Sequence, residues 1–103
     1  MSFGHRMADR WRLDGFEHWL QVWIGEYSPP LERIRTVREW IQSRETDPLA
    51  GVRFVPGFSD YLFGWIPGTL DAADRVVTCT YWLDRAGRAV RCDLIETQSW
   101  PVS

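Results

Sequence analysis

The stretch RVVTCTYWLDRAGRAVRCDLIE, residues Arg75 to Glu96, decides the fold. Its first half, Arg75 to Leu83, is rich in β-branched and aromatic side chains, Asp84-Arg85-Ala86-Gly87 has turn composition, and Arg88 to Glu96 returns as a second strand. Register then sets what faces a core. With Leu83 opposite Arg88, the residues Tyr81, Cys79 and Val77 oppose Val90, Cys92 and Leu94, which makes one face apolar. Arg91 and Asp93 fall on the other face beside Thr78 and Thr80, and Glu96 and Asp93 are expected on opposite faces. A slip of one residue would mix polar and apolar side chains on both faces, so burial selects this pairing. It also sets Cys79 across from Cys92, near enough for a bridge. Two cysteines are nevertheless too few for a disulfide-stapled scaffold and lack the paired short spacings of a zinc site, so buried thiols are expected.

Upstream the period changes to that of helices. Asp14-Gly15-Phe16-Glu17 reads as a helix start, with Asp14 as cap and Glu17 reaching back. Phe16, Trp19, Leu20, Trp23 and Ile24 form one stripe that Gly25 is placed to end. Ser28-Pro29-Pro30 is a second start, and Leu31, Ile34, Val37, Trp40 and Ile41 carry the helical spacing to about Arg44, before the stop Thr46-Asp47-Pro48. The short connection predicts an antiparallel helical hairpin. Its outer charges, Glu32, Arg35 and Glu39, read as a solvated face. Before the helices, Asp9 to Asp14 alternates as a short edge strand would; after them come an extended piece over 51–57 and a strand from Tyr61 to Ile66. The tail after Thr97 shows no final helix.

These elements predict an α+β fold: a short N-terminal strand and a two-helix hairpin packed on an antiparallel sheet that ends in a C-terminal β-hairpin. Residues 1–8 read as a flexible leader and 9–103 as a single domain, since 103 residues with 45% apolar content suffice for one core. The seven Trp supply large buried areas to that core. Because the helical stripes cover one side of a sheet, some of Tyr61, Trp65, Trp82 and Trp100 must face outward or meet a partner. No run is apolar for the ~18 residues of a membrane span, and the N-terminus lacks a signal-type stretch, so the protein is expected in the cytoplasm with no membrane role. The basic residues are all Arg and the net charge is −2, which is not the positive excess of a typical nucleic-acid binder.

Strand, helical hairpin and three antiparallel strands together resemble the RelE/ParE superfamily of toxin-antitoxin toxins. The resemblance lies in the second helix closing on Asp47-Pro48 with Val52-Arg53-Phe54-Val55-Pro56-Gly57 after it, in Tyr61 to Ile66, and in Asp74-Arg75-Val76-Val77 entering a strand that turns at Asp84-Arg85-Ala86-Gly87. It covers roughly residues 10–97. The resemblance implies the toxin component of a type II toxin-antitoxin system, partnered by an antitoxin and acting on ribosome-bound mRNA or another target. If an enzyme, it would be a metal-independent endoribonuclease. Carried onto this chain, the resemblance makes Arg75 the arginine that opens the third strand and Arg53 part of the basic stretch before the second. Where ribonucleolytic relatives place Arg or Lys after the last strand, this chain has Thr97-Gln98-Ser99-Trp100. The candidates for phosphate and proton work are therefore Arg75, Arg91 and Glu96, with Arg53, Tyr81 and Trp65 as substrate contacts.

Other chemistry finds no frame. His18 has no second ligand at metal spacing, no serine sits in a nucleophile elbow, and Gly57, Gly64 and Gly68 lack phosphate-loop spacing. No metal or cofactor is expected. Two other readings follow from the aromatic surplus: a non-catalytic protein-interaction module with a Trp-rich surface, serving as a complex subunit, or a small-molecule-binding α+β protein.

Overall fold

A computed structural model of the protein describes residues 10–101, so the leader expected over 1–8 lies outside the described residues. The elements are β1 (Arg12–Asp14), α1 (Phe16–Tyr27), α2 (Leu31–Ser43), β2 (Val52–Phe54), β3 (Tyr61–Trp65), β4 (Arg75–Asp84) and β5 (Ala89–Ser99). One five-stranded sheet runs in the order β1-β5-β4-β3-β2. All neighbours are antiparallel except β1, which lies parallel to β5. The sheet is therefore mixed rather than antiparallel throughout, because the two helices between β1 and β2 let the chain enter the sheet from the opposite edge. Among the described residues no helix is long and apolar enough to cross a membrane.

Both helices bury the expected stripes, with Phe16, Leu20 and Trp23 from α1 and Val37 and Ile41 from α2 in the core. Their ends differ from expectation. Asp14 stays in β1, where it accepts from the Arg12 guanidinium, and Gly15 occupies the cap position with φ 79°. A Cβ there would meet the Cys92 carbonyl oxygen at 3.2 Å, so the glycine serves both the left-handed turn and close approach to β5. At the other end Gly25 remains helical. Ser28, at φ 46°, ends α1 by donating its N–H to the Ile24 carbonyl, and Pro30 opens α2. Leu31 is 80% exposed, because it precedes the turn at which α2 meets the sheet.

The terminal hairpin is longer than its sequence pattern and its register is displaced. Asp84 pairs with Ala89, Leu83 with Val90 and Tyr81 with Cys92. This is two residues from the expected pairing, so the inward side chains near the turn are unchanged. A β-bulge next to Thr80/Tyr81 then inserts Asp93, and beyond it Thr80 pairs with Leu94 and Cys79 with Ile95. Ile95, not Leu94, is the buried residue on the core side. Cys79 and Cys92 are diagonal neighbours, free thiols with sulfurs 3.9 Å apart.

At the end of α2 the sheet is fixed by a buried cation. Arg44, only 3% exposed, donates to the Ala50 carbonyl at 2.8 Å, the Tyr81 hydroxyl at 3.2 Å and Ser43 Oγ at 3.1 Å. Its guanidinium lies 4.2 Å from the Trp40 ring centroid. Tyr81 donates in turn to the Pro48 carbonyl. Trp40 reaches this place across Gly64, where a Cβ would come within 2.7 Å of Val52 Cγ1 and 3.1 Å of Trp40 Cζ2. Gly64→Ala is expected to destabilise the fold by about 1–3 kcal/mol through overpacking, read as a lower denaturant midpoint with an unchanged m value. Tyr81→Phe is expected to cost about 1–3 kcal/mol, since the Pro48 carbonyl loses its donor in a dry site.

Candidate functional site

The helices cover one face of the sheet, and strand alternation sends a second set of side chains to the other. Two aromatic clusters form on this open face. In the first, Tyr61 and Trp82, neighbours across β3 and β4, stack at 4.1 Å with their planes 25° apart. Phe58 stands edge-on to both, at 5.5 Å and 6.0 Å. The Tyr61 hydroxyl donates to Asp93 Oδ2 at 2.5 Å. Burial, and then this carboxylate, hold the phenol above its ordinary pKa. In the second cluster Trp65 stands edge-on to Phe63 at 6.3 Å and to Trp100 at 5.2 Å. The Trp100 N–H donates to the Asp74 carbonyl at 2.7 Å, which fixes the chain beyond β5. Arg53 spreads over the rings of Phe63 and Trp65, at 5.1 Å and 5.8 Å. Trp65 and Trp82 are each 38% exposed and Phe58 is 55% exposed, so both clusters present ring surface to the outside.

The charges of this face are mostly spent within it. Arg12 pairs with Asp14, Arg85 with Asp60 and Arg91 with Asp84. The Gly87 N–H, and after it Arg91, hold the Asp84 carboxyl below its usual range. Glu96 accepts from Gln98, which also donates to Thr78. Among the described residues Arg53 is the cation of this face whose contacts are with rings and not with a carboxylate.

The residues proposed from sequence do not converge. Arg91 and Glu96 share the open face but oppose Trp82 and Thr78, four β4 positions and therefore about 13 Å apart. Arg75 opens on the helix side, where it pairs with Asp71 beside Arg33 and Thr97. Tyr81 is fully buried, so it belongs to the core and offers no surface to a substrate. Arg53 and Trp65 are brought together. Asp93 faces outward to Tyr61, on the side expected for it, and the bulge reverses the alternation beyond it so that Glu96 comes onto the same face, a placement that the regular alternation of a strand does not give. Phe58 and Phe63 were not singled out from sequence. Phe63 was recoverable from the alternation around Trp65, whereas Phe58 lies in a turn and enters only through tertiary contact. Among the described residues no group of three His, Cys, Asp or Glu side chains is placed to hold a metal ion. The Cys79 thiol is pushed well up by burial and by the adjoining Cys92.

Taken together, the described residues of this face offer ring surface, a guanidinium at Arg53 that lies on rings, and the hydrogen-bonded pair Tyr61 and Asp93. Comparison with known proteins gives no match to a family, to a curated protein or to a solved structure.

On the helix side, Asp71 accepts from the N–H groups of Arg75 and Ala73 at 2.9 Å each and pairs with Arg33 at 3.2 Å. The Arg75 N–H first, and then the Arg33 guanidinium, lower its pKa from 3.8. A carboxyl lowered in the folded state adds stability that is present above its unfolded pKa and disappears as pH falls through the folded value. The thermal midpoint should therefore fall as pH is taken from near neutral to below about 4. Asp71→Asn should lower the midpoint at pH 7 and reduce its acid dependence.

Proposed function

We propose that this protein is a non-catalytic interaction module that holds a protein partner against the open aromatic face of its sheet. The observation that carries this reading is the pair of half-exposed ring clusters on a face that no helix covers. Interfaces draw most of their binding energy from Trp, Tyr and Arg set among neutral contacts, and this face supplies those types while its remaining charges are paired internally. Arg53 asks for a carboxylate on the partner, so the partner segment is apolar with an acidic flank. The internally paired arginines Arg12, Arg85 and Arg91 argue against a phosphate backbone as the ligand, since each already has a carboxylate. A cytoplasmic location accords with the two free thiols.

A toxin component of the RelE/ParE kind is the second reading, supported by the order strand, helical hairpin, antiparallel strands. In that case the partner is an antitoxin, and the chain is a degenerate relative, because Arg75 lies on the other side of the sheet from Arg91 and Glu96. Growth arrest on induction that is lost with Arg75→Ala would favour this second reading over the first.

The interaction reading is tested by isolating the tagged full chain with its partner, identifying that partner, and titrating the two purified proteins. Trp82→Ala and Trp65→Ala should each weaken binding by tenfold or more, on the order of the 2 kcal/mol of a hot spot. Arg35→Ala, on the outer face of α2, should leave it unchanged. Equal affinity of both folded Trp variants and the wild type would remove the open face from consideration.

A further inference from the structure

Beside the second ring cluster the surface is hollowed. A cleft of about 280 Å³ is lined by Trp65, Trp100, Leu70 and Val76 among others, and a second of about 150 Å³ adjoins it at Gly51 and Trp65 and is lined by Arg53 and Phe63. Trp65 is the shared wall. One end of the hollow is thus an apolar wedge walled by the touching rings of Trp65 and Trp100, and the other end carries a guanidinium. Arg53 is held over Phe63 and Trp65 by cation–π contact and has no carboxylate partner among the described residues, whereas the other arginines of the open face, Arg12, Arg85 and Arg91, each have one. An exposed planar cation resting on rings beside apolar walls is complementary to a carboxylate attached to an apolar body, and its fork geometry favours two parallel hydrogen bonds to that group.

We propose that the hollow between Arg53 and Trp100 is a binding site for a small free monocarboxylate with a flat apolar body, seated with its ring in the cleft against Trp65 and Trp100 and its carboxylate on Arg53. The size of the cleft, below or near the lower end of the roughly 300–1,000 Å³ range of drug-sized ligand sites, limits the occupant to a molecule of one ring and a short chain. Edge-to-face rings such as Trp65 and Trp100 leave a wedge that a third ring completes. The site shares Arg53 and Trp65 with the partner surface proposed above, but the first cluster, around Trp82, takes no part in it.

The test is a titration of the full-length protein with 3-phenylpropanoate, followed by nuclear magnetic resonance at the indole N–H signals. Saturable shifts are expected at Trp65 and Trp100, with the Trp82 indole unmoved. The neutral analogue 3-phenylpropanamide should bind about fivefold or more weakly, the factor that corresponds to about 1 kcal/mol for a charge-assisted pair at a partly exposed site. Arg53→Gln, a change at an exposed side chain that leaves the fold intact, should bind acid and amide alike, at the amide's affinity. Trp82→Phe should bind the acid as the wild type does. Equal affinity of the wild type for acid and amide, shifts spread over all the indoles, or no saturation at tens of millimolar ligand would each overturn the proposal. Loss of partner binding in Trp82→Ala with this titration unaffected would separate the two sites.

Discussion

A single buried guanidinium sets the relation between the helices and the sheet. Arg44 leaves the last turn of α2 and is held between the Trp40 ring, the Ala50 carbonyl and the Tyr81 hydroxyl, with no carboxylate to neutralise it among the described residues. A charge so placed is costly unless it is partnered, and here both Nη atoms donate and the electron-rich Trp40 ring lies against the guanidinium, while the buried Nε has no hydrogen-bond partner among the described residues. Four separate pieces of chain must then arrive at one point: the end of α2, the loop carrying Pro48 and Ala50, the middle of β4, and β3 through the bare backbone of Gly64. Buried hydrogen-bonded groups of this kind specify one arrangement, because each alternative leaves a group unpaired.

That constraint has a consequence on the far side of the sheet. With α1 and α2 committed to one face, the alternate residues of β2, β3, β4 and β5 are covered by no helix among the described residues. The rings respond by packing on one another: Tyr61 on Trp82, Trp65 against Phe63 and Trp100. Lateral packing removes part of each ring from water and leaves the rest exposed, so the face stays apolar without being closed. The outer strands β1 and β2 are three residues each, and beyond Arg91 the outer side of β5 has no strand partner among the described residues.

The helical periods, the two strands of the terminal hairpin and the outward surplus of aromatics were legible in the sequence because each follows from a local repeat of hydrophobic positions. Helix ends were less so. Asp14 has the chemistry of a cap, but β1 pairs with β5 through Asp14 itself, and Gly15 takes over the turn. Alternation set Tyr81 on the apolar face, where it is fully buried, and it entered as a substrate contact only through the family resemblance. Arg75, Arg91 and Glu96 read as neighbours on one sheet, yet a strand distributes its residues over two faces and along its length, and these three end on different sides or well apart.

What the sequence by itself determined is the inventory and order of elements, the class of fold, and the need for some rings to look outward, since all three are fixed by the spacing of apolar residues. Only the tertiary structure decided the parallel entry of β1, the bulge at Asp93, the burial of Arg44 against Trp40 and Tyr81, and the placement of Arg53 on the rings of Phe63 and Trp65. The physical reason is one of range. Periodicity records which side of an element is dry, whereas register, bulges and the partners of charges depend on contacts between residues distant in the chain, whose energies no local pattern encodes.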